Sequence, residues 1–122
     1  MYDRSLVLEQ IDKVDEAIRR IERRFQGVSS AADFTGSDAG LDRLDAIAMM
    51  LIAIGENVKR IDKTTKGKLL EHFPEIHWPG VTGTRDMLAH DYFGIDPEEI
   101  YAICVNDLDP LKQALKKMRE EA

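Results

Sequence analysis

The sequence has one cysteine, Cys104, in 122 residues. That excludes an intramolecular disulfide and a zinc site built from several thiolates, and it fits a reducing cytoplasm. Long apolar runs are missing as well. The richest, Ala46 to Gly55, extends over ten residues, whereas a membrane span needs about 18 or more. The opening MYDRSLVLEQ is charged too early and apolar too briefly for a secretory signal. Positive charge is not in excess: 17 basic against 23 acidic residues leave a net charge of −6. Nothing global attracts nucleic acid or an anionic membrane, so any nucleic-acid role must rest on local clusters of cations. No segment sustains the apolar–polar alternation of a strand.

What is present is helical periodicity. The 43% apolar content suffices for one core, and the length suits one domain over residues 1–122. Val7, Ile11, Val14, Ile18, Ile21 and Phe25 alternate spacings of four and three, the stripe of an amphipathic helix that Gly27 is placed to stop. Opposite the stripe lie Arg19, Arg20, Arg23 and Arg24. They read either as a solvated face paired with Asp12, Asp15 and Glu16, or as a patch that contacts phosphate. Residues 28–40 are small, polar and glycine-bearing, and predict a loop.

Leu44, Ile47, Ala48, Leu51, Ile54, Val58 and Ile61 mark a second helix. Met49, Met50 and Ile52 widen its apolar surface beyond one stripe, which suits a central helix or one packed on a partner chain. Gly55 in its middle costs about 1 kcal/mol relative to alanine, and so predicts the close approach of another helix. Lys59, Arg60, Lys63, Lys66 and Lys68 form a second basic cluster.

HFPEIHWPG then predicts a turn-rich connector anchored by Trp78, with His72 and His77 as surface or connector residues and not metal ligands. A third helix is expected to run to about Gly94. Asp96-Pro97-Glu98-Glu99 combines an N-cap, a proline at the first helical position and a capping-box glutamate, so a fourth helix starts there. Its core face holds Ile100, Ile103, Cys104 and Leu108. Asp109-Pro110 predicts a kink or restart before Leu111, Leu115 and Met118. Cys104 reads as a buried apolar residue, not a nucleophile. The fold class is all-α: a bundle of four main helices with a short extra helix or turn in the connector.

The chemistry concentrates in TRDMLAHDYFGID, residues 84–96. Arg85 is permanently charged and suited to phosphate, His90 can move a proton near neutrality, and the Tyr92 phenol can donate a hydrogen bond or be modified. On a regular helix Arg85 and Tyr92 lie about 20° apart, but His90 sits about 140° from Arg85. A straight helix does not converge all three. Either it distorts near His90, or a second copy of the chain completes the site.

Arg85, His90 and Tyr92 have the order R-x4-H-x-Y, with AIGENVKRI before it, HFPEIHWPGVTGTRDMLAHDYFGID around it and NDLDPLKQALKKM after it. In these motifs the chain resembles the HepT-like branch of the HEPN superfamily over nearly its whole length. The resemblance implies a HEPN-like bundle that assembles as a homodimer or higher. It further implies a metal-independent ribonuclease toxin of a type VII toxin–antitoxin pair, with no cofactor and with RNA, tRNA among the candidates, as substrate. The implied partner is a minimal nucleotidyltransferase antitoxin (MntA-like). Carried over by position, Arg85 and His90 are catalytic, Tyr92 receives AMP, and Asp86 and Glu56 support them. Asn57 departs from the Gly-Glu-Ala usual in the family. Two alternatives stay open: a non-catalytic module that binds nucleotide or docks a nucleotidyltransferase, and a structural helical dimer. With a charge of −6, RNA binding must use the clusters at Arg19–Arg24 and Lys59–Lys68.

Overall fold

A computed structural model describes residues 2–122. Its helices are α1 (Arg4–Phe25), α2 (Ala32–Thr35), α3 (Asp38–Thr64), α4 (Trp78–His90), α5 (Pro97–Asn106) and α6 (Leu108–Glu121), with 3-10 turns at Leu70–His72 and Tyr92–Gly94. No strand occurs among the described residues. The protein is an all-α bundle, in which α5 and α6 together take the place of the fourth main helix.

The long helices bury the stripes expected of them. Asp3 caps α1 by accepting from the Leu6 amide at 3.2 Å, and Gly27 ends it with φ +82°. Between these ends Val7, Ile11, Val14, Ile18 and Ile21 are fully enclosed, facing Ile47, Ile54 and Ile61 of α3 and Leu115 and Met118 of α6. α3 is the central element, packed on α1, α2 and α4, while α6 closes against α1.

The structure departs from the sequence-based expectations at four places. Residues 28–40 are not a simple loop, because they contain α2. The Asp33 carboxylate gathers the Ser29 and Ser30 amides at 2.7 and 3.2 Å, and Phe34 is fully buried with its ring 6.4 Å from that of Phe25. α3 then starts at Asp38, capped by Ser37 Oγ on the Gly40 amide at 3.0 Å. Second, the Trp78-Pro79-Gly80 stretch is not connector but the first turn of α4. Proline is tolerated there, since first-turn amides have no intrahelical acceptor. Trp78 still anchors the segment, its indole N–H donating to the carbonyls of Leu70 and Phe73 at 3.1 and 3.0 Å.

Third, α4 ends at His90, not near Gly94. Asp91 leaves the helical region at φ −146°, ψ 86°, and its carboxylate accepts from the Gly94 amide at 3.2 Å. Fourth, the break between α5 and α6 falls at Asp107, two residues ahead of Asp109. Pro110 has no amide to give the Asn106 carbonyl, so the ladder stops there and restarts from Asp107. Asp96 caps α5 as expected, accepting from the Glu98 amide at 3.0 Å.

Candidate active site

Gly55 decides where the arginine stands. A Cβ at this position would collide with the Cβ of Arg85, lie 3.0 Å from its Cγ and sit 3.3 Å from the Val81 carbonyl oxygen. The expected close helix approach is therefore that of α4 on α3, with Arg85 at the contact. From there the guanidinium reaches two carboxylates. Nη1 lies 3.2 Å from Asp86 Oδ1, and Nη2 lies 3.4 Å from Glu56 Oε1. Nε is buried without a hydrogen-bond partner. Lys59 Nζ lies 2.6 Å from the same Asp86 Oδ1. The carboxylates hold the guanidinium firmly charged, Asp86 foremost, while Lys59 above all keeps the Asp86 carboxyl below the usual range.

His90 is the last residue of α4 and is exposed. Tyr92 lies beyond it on the 3-10 turn, so the face it would share with Arg85 on a continuous helix does not exist. Its phenol instead donates to the Asp45 carboxylate on α3. Partial burial, and then Asp45, push the phenol well above the usual tyrosine range. Asp45 and Glu56 are eleven positions apart, about 16 Å along α3 at 1.5 Å per residue. The structure thus gathers Arg85, Asp86, Glu56 and Lys59 at one place and seats Tyr92 at another on the same helix.

Two participants escaped sequence reasoning. Asp45 reads as an ordinary solvent residue, and Lys59 as one of five cations in a cluster. A signal does exist: at about 100° per residue, Leu41, Asp45, Met49, Ile52, Glu56 and Lys59 fall within about 80° of one another on α3. A stripe that mixes carboxylates with apolar residues on one face suits neither a buried nor a fully solvated surface. A cleft of about 510 Å³ lies elsewhere, floored by Leu51, Ile54, Ile103 and Leu111 and reached from α4 by Gly80, Val81 and Thr84. It includes none of Arg85, His90 or Tyr92.

The Ribonuclease HepT-like family matches residues 14–118. The chain belongs to this family. Among the relatives of this HepT-like chain is a protein of Methanocaldococcus jannaschii named "Putative RNase", 31% identical over 80 residues, which are 62% of this chain and 63% of that one. Another, from Thermococcus cleftensis and named "Probable ribonuclease HepT", is 33% identical over 75 residues, 62% of this chain and 64% of that one. Each match spans less than two thirds of the relative's length. No solved structure matches the chain.

The rest of the HepT-like surface bears on how the site is used. Met49 is 59% exposed and Phe93 98% exposed, with Leu41 and Met87 also open to solvent; Met50 and Ile52 are half-buried. Arg19 and Arg20 of the first basic cluster share Glu16 at 2.7 to 2.9 Å. Asp12 and Asp15, expected to pair there, instead hold Arg119 of α6 at 2.6 and 2.5 Å. His72 is a surface residue whose Nδ1 lies 2.9 Å from Glu121, and His77 is exposed at the start of α4. Cys104 is half-buried, and desolvation pushes its thiol up to about 12, so it is no nucleophile at neutral pH. Among the described residues no helix is long and apolar enough to cross a membrane.

Proposed function

We propose that this HepT-like chain is a metal-independent endoribonuclease, the toxin of a type VII pair whose antitoxin is a minimal nucleotidyltransferase. The observation that carries the reading is Arg85, seated on Gly55 with its guanidinium between Glu56 and Asp86, on the helix that ends in exposed His90. Relatives that bear ribonuclease names support it. RNA supplies its own nucleophile. His90 takes the proton of a 2′-hydroxyl, and that oxygen bonds to the adjacent phosphorus. The bond to the 5′-oxygen breaks, and this oxygen leaves with a proton from the histidine of a second protomer. Arg85 offsets the charge that grows on the phosphorane. The products are a 2′,3′-cyclic phosphate and a 5′-hydroxyl. The exposed Leu41, Met49, Met87 and Phe93 support the homodimer this requires.

Tyr92 is the point of control. In adenylylation its phenol oxygen attacks the α-phosphorus of ATP, pyrophosphate leaves, and the phenol gives up the proton it now donates to Asp45. The product places a phosphodiester anion beside a carboxylate, so the turn after His90 loses its anchor on α3 and gains a repulsion. Control therefore does not require Tyr92 to share a helix face with Arg85.

The test is RNA cleavage and intact mass for protein expressed with and without the nucleotidyltransferase. Arg85→Ala and His90→Ala are expected to lose cleavage and keep the fold, because they are polar residues outside the core. Tyr92→Phe is expected to cleave RNA and escape silencing. Cleavage abolished by a chelator, or unchanged in His90→Ala, would refute the mechanism. Nucleotide binding without cleavage would establish the docking-module reading instead.

A further inference from the structure

We infer that Lys59 is a second phosphate-contacting cation of the site, so that the RNA backbone runs along the α3 basic cluster and not over Arg19 and Arg20 of α1. The inference rests on the ribonuclease reading for its substrate and on geometry for its residue. Lys59 Nζ and Arg85 Nη1 converge on a single oxygen, Asp86 Oδ1, at 2.6 and 3.2 Å. One anionic oxygen bridged by an ammonium and a guanidinium is the arrangement a phosphate oxygen takes between the same two cations. Asp86 occupies that position in the free protein, and its side chain is 54% exposed, so it can swing out when a phosphate arrives. The Lys59 ammonium has three donors, of which Asp86 engages one, and its side chain is 44% exposed. Two of its donors are therefore open to a phosphate, which offers three or more acceptor oxygens.

The two basic clusters differ in what already satisfies them. On α1, Glu16 takes both Arg19 and Arg20 within their own helix, a local neutralisation that RNA would have to undo without engaging Arg85, and Arg24 is half-buried. On α3, Lys59 is tied only to a residue of the site itself, and Arg60 and Lys63 follow it exposed. Binding at Lys59 exchanges a carboxylate for a phosphate and leaves those cations for the next nucleotide. Asp86 then acts as a competitor for the substrate: it holds the two cations together and must be displaced.

The experiment uses the full chain carrying His90→Ala, so that RNA is bound and not consumed. Affinity for a fluorescein-labelled single-stranded RNA is followed across a potassium chloride series. Lys59→Gln is expected to weaken binding several-fold and to reduce the slope of log affinity against log salt by about 0.7, the value for one single-strand phosphate contact. Lys59→Arg should restore the slope, and a thermal melt in which Lys59→Gln matches the parent separates a lost phosphate contact from a purely structural role for the lysine. Asp86→Asn should tighten binding. Replacing Arg19 and Arg20 together by glutamine should change neither affinity nor slope. An unchanged slope in Lys59→Gln, a loss in the Arg19/Arg20 variant instead, or no binding by the parent would each overturn the inference. Cleavage is measured separately with His90 intact. Lys59-dependent binding without any cleavage would refute the ribonuclease reading and leave this contact standing.

Discussion

Replacing Gly55 by alanine isolates the contact on which the site depends. The change adds one methyl group at the crossing of α3 and α4. Alanine gains about 1 kcal/mol of helix propensity over glycine, and overpacking a close contact costs about 1–3 kcal/mol, so the net loss is roughly 0–2 kcal/mol. At about 3–5 °C per kcal/mol for a chain of this size, Tm falls by no more than about 10 °C. The catalytic effect is larger. A Cβ now 3.0 Å from Arg85 Cγ must retreat to about 3.5–4.0 Å, the ordinary carbon–carbon separation. That contact alone asks for a shift of about 0.5–1 Å, and the tighter collision with Arg85 Cβ sets the full displacement at more than about 1 Å. Misplacement on the order of 1 Å costs about 10²-fold in rate. The assay is kcat/KM for RNA cleavage alongside a thermal melt, with Gly83→Ala as the control, since a Cβ at Gly83 meets nothing within 4 Å. The control should gain up to about 1 kcal/mol and keep its activity. Gly55→Ala with undiminished kcat/KM would refute the view that this contact positions Arg85.

Phe34→Ala should cost about 3–5 kcal/mol in a urea titration, because the ring is fully enclosed; a loss below about 1 kcal/mol would mean that α2 is not part of the core. Cys104 should resist iodoacetamide at pH 8 in the folded protein and react once urea unfolds it. Lifting the thiol from about 9 to about 12 cuts the thiolate fraction about a thousandfold, and rapid native alkylation would contradict that burial. The Asp86 carboxyl is depressed in the folded state, so its stabilising contribution is present above the unfolded value near about 3.9 and is lost as pH falls through the lower folded value. The stability gap between wild type and Asp86→Asn is therefore expected to stay constant from pH 5 to 8 and to close in stronger acid. A gap that changes between pH 5 and 8 would show that another titrating group governs the Lys59–Asp86 pair.

Most of the helical framework was legible in the residues alone, because its signals are local. The α1 stripe from Val7 to Ile21, the stop at Gly27 and the Asp96-Pro97 start of α5 each depend on residues a few positions apart, and the helical period repeats within that range. The R-x4-H-x-Y spacing and its flanks were equally readable, and they pointed to the HepT-like family. Sequence also predicted that another helix approaches Gly55 closely, but not that Arg85 stands at the contact. α2 escaped because a single buried Phe34 has no period to detect, and the polar residues around it read as loop while they were in fact tying that turn together.

Which side chains meet at the candidate site was decided by tertiary structure. Arg85 meets Glu56 across 29 positions, Lys59 meets Asp86 across 27, and Tyr92 meets Asp45 across 47. α4 could have continued to Gly94 on periodicity alone. It stops at His90 because Asp91 captures the Gly94 amide and Tyr92 finds its acceptor on α3, not on its own helix. A helix propagates by contacts between residues about four apart, so sequence pattern records it. Ion pairs and hydrogen bonds between helices depend on how two packed surfaces meet, and only the folded chain determines which side chains then face each other.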